Sequence, residues 1–122
     1  MKIEIIRISS TLLARVESEG IVIASLEEAL DLLGNCYYQG AQGILLEEKN
    51  ITPDFFDLTT GIAGEILQKF STYNMYLAII GDFSRYSSKS LRDFIYESNK
   101  TGRINFLRTS EEAIRVLDRN IR

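Results

Sequence analysis

The sequence predicts one α/β domain over residues 1–122, with helices packed on a mainly parallel sheet and an antiparallel hairpin at its N-terminal edge. Three features of the residue pattern predict it. Two short β-rich runs open the chain with only Ser9-Ser10 between them. From Ser25 onward, helical and strand-like runs alternate to the end. The later strand runs are apolar almost throughout, as strands are when both sheet faces are covered. The element order is therefore ββαβαβαβα, with right-handed crossovers between the parallel strands.

Each element has a local reason. Lys2 to Ser9 and Thr11 to Ser18 are the hairpin strands. Glu17 to Gly20 is polar, and Ile21-Val22-Ile23 either extends the second strand or packs on the core. Ser25-Leu26-Glu27-Glu28 has the form of a capping box, in which the serine accepts from the backbone and Glu28 reaches back. A helix follows to about Tyr38 with Leu26, Ala29, Leu30, Leu33, Cys36 and Tyr37 inward, and Gly40 ends it. Gly43 to Leu46 is a short strand, and Glu47 to Asn50 is charged and leaves the sheet. Pro53 suits the first turn of a short helical segment. Gly61 to Tyr73 is the second main helix, with Ile62, Ile66, Leu67 and Phe70 on one side. Met75 to Ile80 is the most continuously apolar run, which predicts the central strand. Ser87 or Ser88 caps a helix that buries Leu91, Phe94 and Ile95 and ends near Gly102. Ile104 to Leu107 is the last strand. Ser110 caps the last helix, where Ala113 takes the position that a reciprocal capping acid would need.

Composition prunes the functions. Acids outnumber bases 17 to 14, for a net charge of −3, which argues against nucleic acid as a partner. No apolar run approaches the ~20 residues that cross a bilayer. Met1-Lys2-Ile3-Glu4-Ile5 alternates like a strand and does not resemble a signal peptide, so a cytoplasmic location is expected. The chain has no histidine, which excludes Ser-His-Asp and Cys-His catalysis and His-ligated zinc. Its one cysteine, Cys36, falls on the apolar side of a helix and reads as a buried small hydrophobe. No metal or cofactor is expected.

In parallel sheets, ligand sites gather at the carboxyl ends of the strands. Those ends carry Glu47, Glu48, Lys49 and Thr52 to Thr60, then Asp82, Ser84, Arg85, Ser87 and Ser88, then Arg108 and Thr109. Thr59 and Thr60 stand where an extended segment turns into a helix, whose unpaired N–H groups and dipole suit an anion. Each is a candidate N-cap, regulatory phosphorylation site or ligand contact. Phosphorylation there would add roughly −1.5 to −2 charges at a helix end that tolerates them. With Asp57, Asp82 and Ser84 they make a candidate partner-binding surface. Asp54, Arg85, Ser87 and Ser88 make a candidate ligand-binding rim. Asp54 and Asp57 either stabilise the helix dipole or act as general acid and base. Asp82 and Arg85 form a local ion pair, or Arg85 joins Lys89 and Arg92 in an anion-binding patch. Gly61 and Gly64 let a helix approach the sheet closely. Phe83 and Tyr86, aromatic in a polar loop, are plausible exposed partner anchors.

Ile51 to Leu58, Gly61 to Leu67, Ile80 to Ser84 and Ser90 to Asn99 resemble a bacterial family catalogued as domain of unknown function 4180. That resemblance spans nearly the whole chain and implies no activity. More distantly, the ββαβαβαβα order resembles the domain shared by sulfate transporters and anti-sigma factor antagonists. Such domains carry a phosphorylatable hydroxyl in an Asp-Ser-Ser/Thr-Gly motif at a helix start. The nearest match is Asp57-Leu58-Thr59-Thr60-Gly61, with Leu58 inserted between the acid and the hydroxyl pair. The expectation is a non-catalytic regulatory or protein-interaction module of unknown oligomeric state that binds another protein rather than nucleic acid or membrane. The alternative is a small-molecule-binding domain, or an enzyme that uses carboxylates at the strand ends.

Overall fold

The computed structural model describes residues 1–122. β1 (Lys2–Ile8) and β2 (Thr11–Glu17) form the hairpin, followed by α1 (Leu26–Tyr38), β3 (Gly43–Glu47), α2 (Ile62–Thr72), β4 (Tyr76–Ile80), α3 (Lys89–Thr101), β5 (Ile104–Leu107) and α4 (Ser110–Ile121). Three short 3-10 turns, Glu48–Asn50, Pro53–Phe56 and Leu58–Thr60, fill the passage from β3 to α2. The order is the one predicted from the alternation of patterns.

The strands lie in sequence order, β1-β2-β3-β4-β5, with β1 antiparallel to β2 and the rest parallel. The middle strand is thus β3, not β4 as its apolarity predicted. The hairpin adds two strands on one side, and β4 keeps only β5 beyond it, so full burial marks an interior strand without marking the centre.

Three successive right-handed crossovers advance the same way and set α1, α2 and α3 on one face. There they cover Ala14, Val16, Ile44, Leu46, Leu77, Ile79, Ile104 and Phe106. On the other face α4 packs Ala113 and Leu117 against Leu13, Leu45 and Ala78. The alternation Ile44, Leu45, Leu46 divides between the faces, which explains why β3 reads as an unbroken apolar run. Gly43 admits α4: a Cβ there would lie 3.0 Å from Leu13 Cδ2 and 3.2–3.3 Å from Ile121 and Leu117. Below the strand starts, buried Asn105 donates to the carbonyls of Leu77 (3.3 Å) and Gly102 (2.9 Å), tying β5 to β4 and the end of α3.

The caps set the helix frames. Ser25 Oγ accepts from Glu28 N at 3.2 Å, and Glu28 reaches back to Ala24 N at 2.8 Å. Ser88, rather than Ser87, caps α3 by accepting from Leu91 N at 3.2 Å. The cap of α4 is Thr109, one residue before the expected Ser110. In that frame the third position is Glu112, not Ala113, and it supplies the missing half by accepting from Arg108 N at 3.3 Å.

Two helix faces differ from expectation. In α1, Leu32 is buried with Ala29, Leu33 and Cys36, whereas Tyr37 is 66% exposed at the end of the helix. In α2, Gly64 is exposed and an added Cβ would meet nothing within 4 Å, so it is not a close-packing glycine.

Candidate functional site at the strand ends

Because the parallel strands never reverse order, the sheet lacks the switch-point crevice of doubly wound folds. The carboxyl-end surface is built instead by the 3-10 turns after β3, the loop after β4, and the segment between β2 and α1.

Asn50 organises this region. It is wholly buried, and its side chain replaces three backbone partners. Oδ1 accepts from Glu47 N at 3.1 Å, and Nδ2 donates to the carbonyls of Ser18 and Gly20, both at 2.9 Å. Its own carbonyl accepts from Val22 N (2.7 Å) and Ile23 N (3.0 Å), and Ile23 bridges Ile51 in parallel. The apolar run at Ile21 to Ile23 therefore packs beside the exit of β3 and does not extend β2. It leaves Ile21 52% exposed.

Beside Asn50, Glu48 is drawn inward. Its side chain is only 12% exposed, and Oε2 accepts from both Arg85 Nη2 and the Tyr86 hydroxyl. Gly81 makes room for it: a Cβ there would stand 2.9 Å from Glu48 Cβ and 2.7 Å from Oε1. Arg85 also donates to the Asp82 carbonyl at 3.1 Å and lies over the Tyr86 ring, 4.9 Å from its centroid. Burial, then the bond to Glu48 and its charge, push the Tyr86 hydroxyl up to about 12. Desolvation pulls the Arg85 guanidinium down, and the Glu48 carboxylate more than offsets it. The ion pair of Arg85 is thus with Glu48 rather than Asp82. A groove of about 540 Å³ opens over this cluster, lined also by Lys49, Ile21, Ile51, Pro53 and Phe56.

Aromatic rings fasten the two loops together. Phe56 stacks on Tyr86 (5.1 Å, 14°) and on Phe83 (6.1 Å, 28°), and Phe83 meets Phe106 edge-on at 5.2 Å. Phe83 and Tyr86 are half-buried members of this cluster, not the exposed anchors expected from a polar loop. Their rings belong to the core, and only the loop's polar groups face outward.

The hydroxyls sit in two similar turns. Asp57 Oδ1 accepts from Thr59 N (3.1 Å) and Thr59 Oγ1 (2.6 Å). Asp82 Oδ1 accepts from Ser84 N (3.1 Å) and Ser84 Oγ (2.6 Å). All four residues are exposed. In each case the hydroxyl bond, then the backbone bond, lowers the carboxyl below the usual aspartate value. Thr59 does not cap α2; Gly61 does, at φ 79°. Thr60 fulfils part of the expected role by accepting from Ile62 N at 3.3 Å while it donates to the carbonyls of Asp54 and Asp57. The structure thus brings Asp57 to Thr59, Thr60 to the Asp54 backbone, and Asp82 to Ser84 and Arg85. None of Asp54, Asp57 and Asp82 lines the 540 Å³ groove. Lys89 pairs with Asp93 at 2.7 Å along α3, and neither Lys89 nor Arg92 lines the groove, so the expected patch of Arg85 with Lys89 and Arg92 does not form.

The family model described as Domain of unknown function (DUF4180) matches residues 9–117. The chain belongs to this family. No curated protein and no solved structure matches it. No group of three or more His, Cys, Asp or Glu side chains in this DUF4180 chain is gathered for a metal ion. No helix is long and apolar enough to cross a membrane. Sequence reading placed Glu48 on the rim but missed its pairing with Arg85 and Tyr86, and it missed Asn50 and the hydroxyl of Tyr86 as parts of the site. For Glu48, the available signal was a pair of acids after an apolar strand, with glycine directly after the next one.

Proposed function

We propose that this DUF4180 chain is a non-catalytic regulatory module of the bacterial cytoplasm that meets another protein through its carboxyl-end rim. The observation that carries this reading is the pair of exposed, preorganised turns at Asp57–Thr59 and Asp82–Ser84, held on loops that Phe56, Phe83 and Tyr86 lock together. A rigid, polar, outward-facing rim over a packed aromatic base suits recognition, because little entropy is lost on binding. The aspartates argue against catalysis. Their carboxyls are held as anions by neighbouring hydroxyls, which suits neither a general acid nor a base poised near neutral pH.

The ββαβαβαβα order supports a likeness to anti-sigma factor antagonist domains, and with it the idea of a modifiable hydroxyl. The turn geometry supplies a specific mechanism. A phosphoryl group on Thr59 would bring roughly −1.5 to −2 charges beside a carboxylate, and its oxygen could no longer donate to Asp57. Modification would therefore open the turn rather than add charge to a fixed one. The test is a pull-down from the source cell's lysate with wild-type, Thr59→Glu and Tyr38→Glu baits, Tyr38 being exposed at the end of α1. A partner held by wild type and Tyr38→Glu and released by Thr59→Glu is expected. No partner, or one released only by Tyr38→Glu, would overturn the reading.

A further inference from the structure

The geometry points to the groove between Lys49 and Arg85 as a binding site for a small organic anion with a flat apolar body. This goes beyond partner recognition and does not depend on it. The groove holds about 540 Å³, within the range of small-ligand sites. Its charges are unequal in availability. Glu48 is consumed by two donors, Arg85 and Tyr86. Arg85 uses three of its guanidinium N–H groups, on Glu48, Tyr86 and the Asp82 carbonyl. A guanidinium has five, so two remain. Its side chain is 60% exposed. Lys49 reaches Glu47 and Glu19 only at 3.7 and 3.9 Å, and such exposed pairs hold almost nothing in place. Arg85 and the loosely paired Lys49 thus line a groove whose one lining acid, Glu48, already has two donors, with Glu19 and Glu47 beside Lys49 outside the lining.

The walls supply the second half of the recognition. Ile21, Pro53 and Phe56 line the same groove, and Ile21 is left half-exposed by the bonds that fix its segment to Asn50. An apolar body would cover Ile21 and lie against Pro53 and Phe56. A carboxylate, sulfonate or phosphate at its end would bridge Lys49 Nζ and one remaining N–H of Arg85, where charge-assisted bonds are the strong ones. No covalent step is involved.

The test uses 8-anilinonaphthalene-1-sulfonate as probe, read by its fluorescence at equilibrium with the folded protein. Binding of one probe per chain is expected, weakened about tenfold by Lys49→Gln and by Arg85→Gln, as losing one charge-assisted bond implies. Lys49→Gln is the cleaner variant, because Lys49 holds no buried partner. The uncharged N-phenyl-1-naphthylamine should bind at least tenfold more weakly, since it cannot use either cation. A separate groove between α1 and α2, lined by Leu33, Tyr37 and Tyr73, is the competing apolar site. Loss of probe binding on Tyr37→Ser with none on Lys49→Gln would overturn the assignment. So would no binding to wild type, or equal binding of the charged and uncharged probes.

Discussion

Replacing Glu48 by glutamine isolates the electrostatic centre of the site. The side chain keeps its shape, and its carbonyl can still accept from Arg85 and Tyr86, but both bonds change from charged to neutral. Charge-assisted bonds contribute about 1.5–3 kcal/mol and neutral ones about 0.5–1.5, so two conversions would remove about 2–3 kcal/mol in a fully buried site. Arg85 is 60% exposed and water screens its share, leaving about 1–2 kcal/mol. With roughly 2.1 cal/mol/K of unfolding entropy per residue, a chain of 122 residues loses about 4–8 °C in Tm. Tyrosine absorbance gives a second readout. The Tyr86 hydroxyl, raised to about 12, should titrate lower once the carboxylate is gone, while burial keeps it above an exposed tyrosine. Thermal melts and an alkaline absorbance titration of both proteins measure the two effects. An unchanged Tm together with an unchanged titration would refute the double engagement of the Glu48 carboxylate by Arg85 and Tyr86.

Other consequences are independent of that pair. Asn50→Ala removes three side-chain bonds at a wholly buried position and should cost about 3 kcal/mol in urea unfolding; a loss under about 1 kcal/mol would mean the Ser18–Ile23 segment is held otherwise. Gly64→Ala, on an exposed face of α2 with open space around it, should stabilise by about 0.5–1 kcal/mol; destabilisation would restore the close-packing role that the structure denies. The lowered carboxyls of Asp57 and Asp82 contribute stability that is full above the unfolded aspartate value of about 3.9 and lost as pH falls through their folded values. Urea midpoints measured from pH 6 down to pH 3 should therefore fall more steeply for wild type than for Asp57→Asn/Asp82→Asn, and parallel curves would contradict the turn geometry.

The fold was legible because its signals are local. Alternating patterns gave the element order, Ser25 and Ser88 marked their helices, and Pro53 marked the turn after β3. Errors arose where a local rule had two frames or a non-local competitor. Thr109 and Ser110 both suit a cap, and only the bond from Glu112 back to Arg108 chooses between them. Thr59 stands before a helix, yet Asp57 engages it in its own turn. Phe83 and Tyr86 read as exposed because their neighbours are polar, but Phe56 reaches them from the other loop. The heart of the site was the least legible part. Glu48 meets Arg85 and Tyr86 across 37 and 38 residues, and Asn50 meets Ser18 across 32. No periodicity reports such pairings; those of Glu48 follow from β3 lying beside β4 and that of Asn50 from β3 lying beside β2, which only the assembled sheet provides.

The proposed role of the carboxyl-end rim in partner recognition is tested most directly by amide hydrogen exchange of the chain, alone and with the protein recovered by the wild-type bait. Slowed exchange is expected at residues 52–60 and 81–88, the segments that carry the two turns, with the exposed face of α1 unchanged. Protection along α1 and α2 or at the β1 edge, with the two turns exchanging as before, would contradict it.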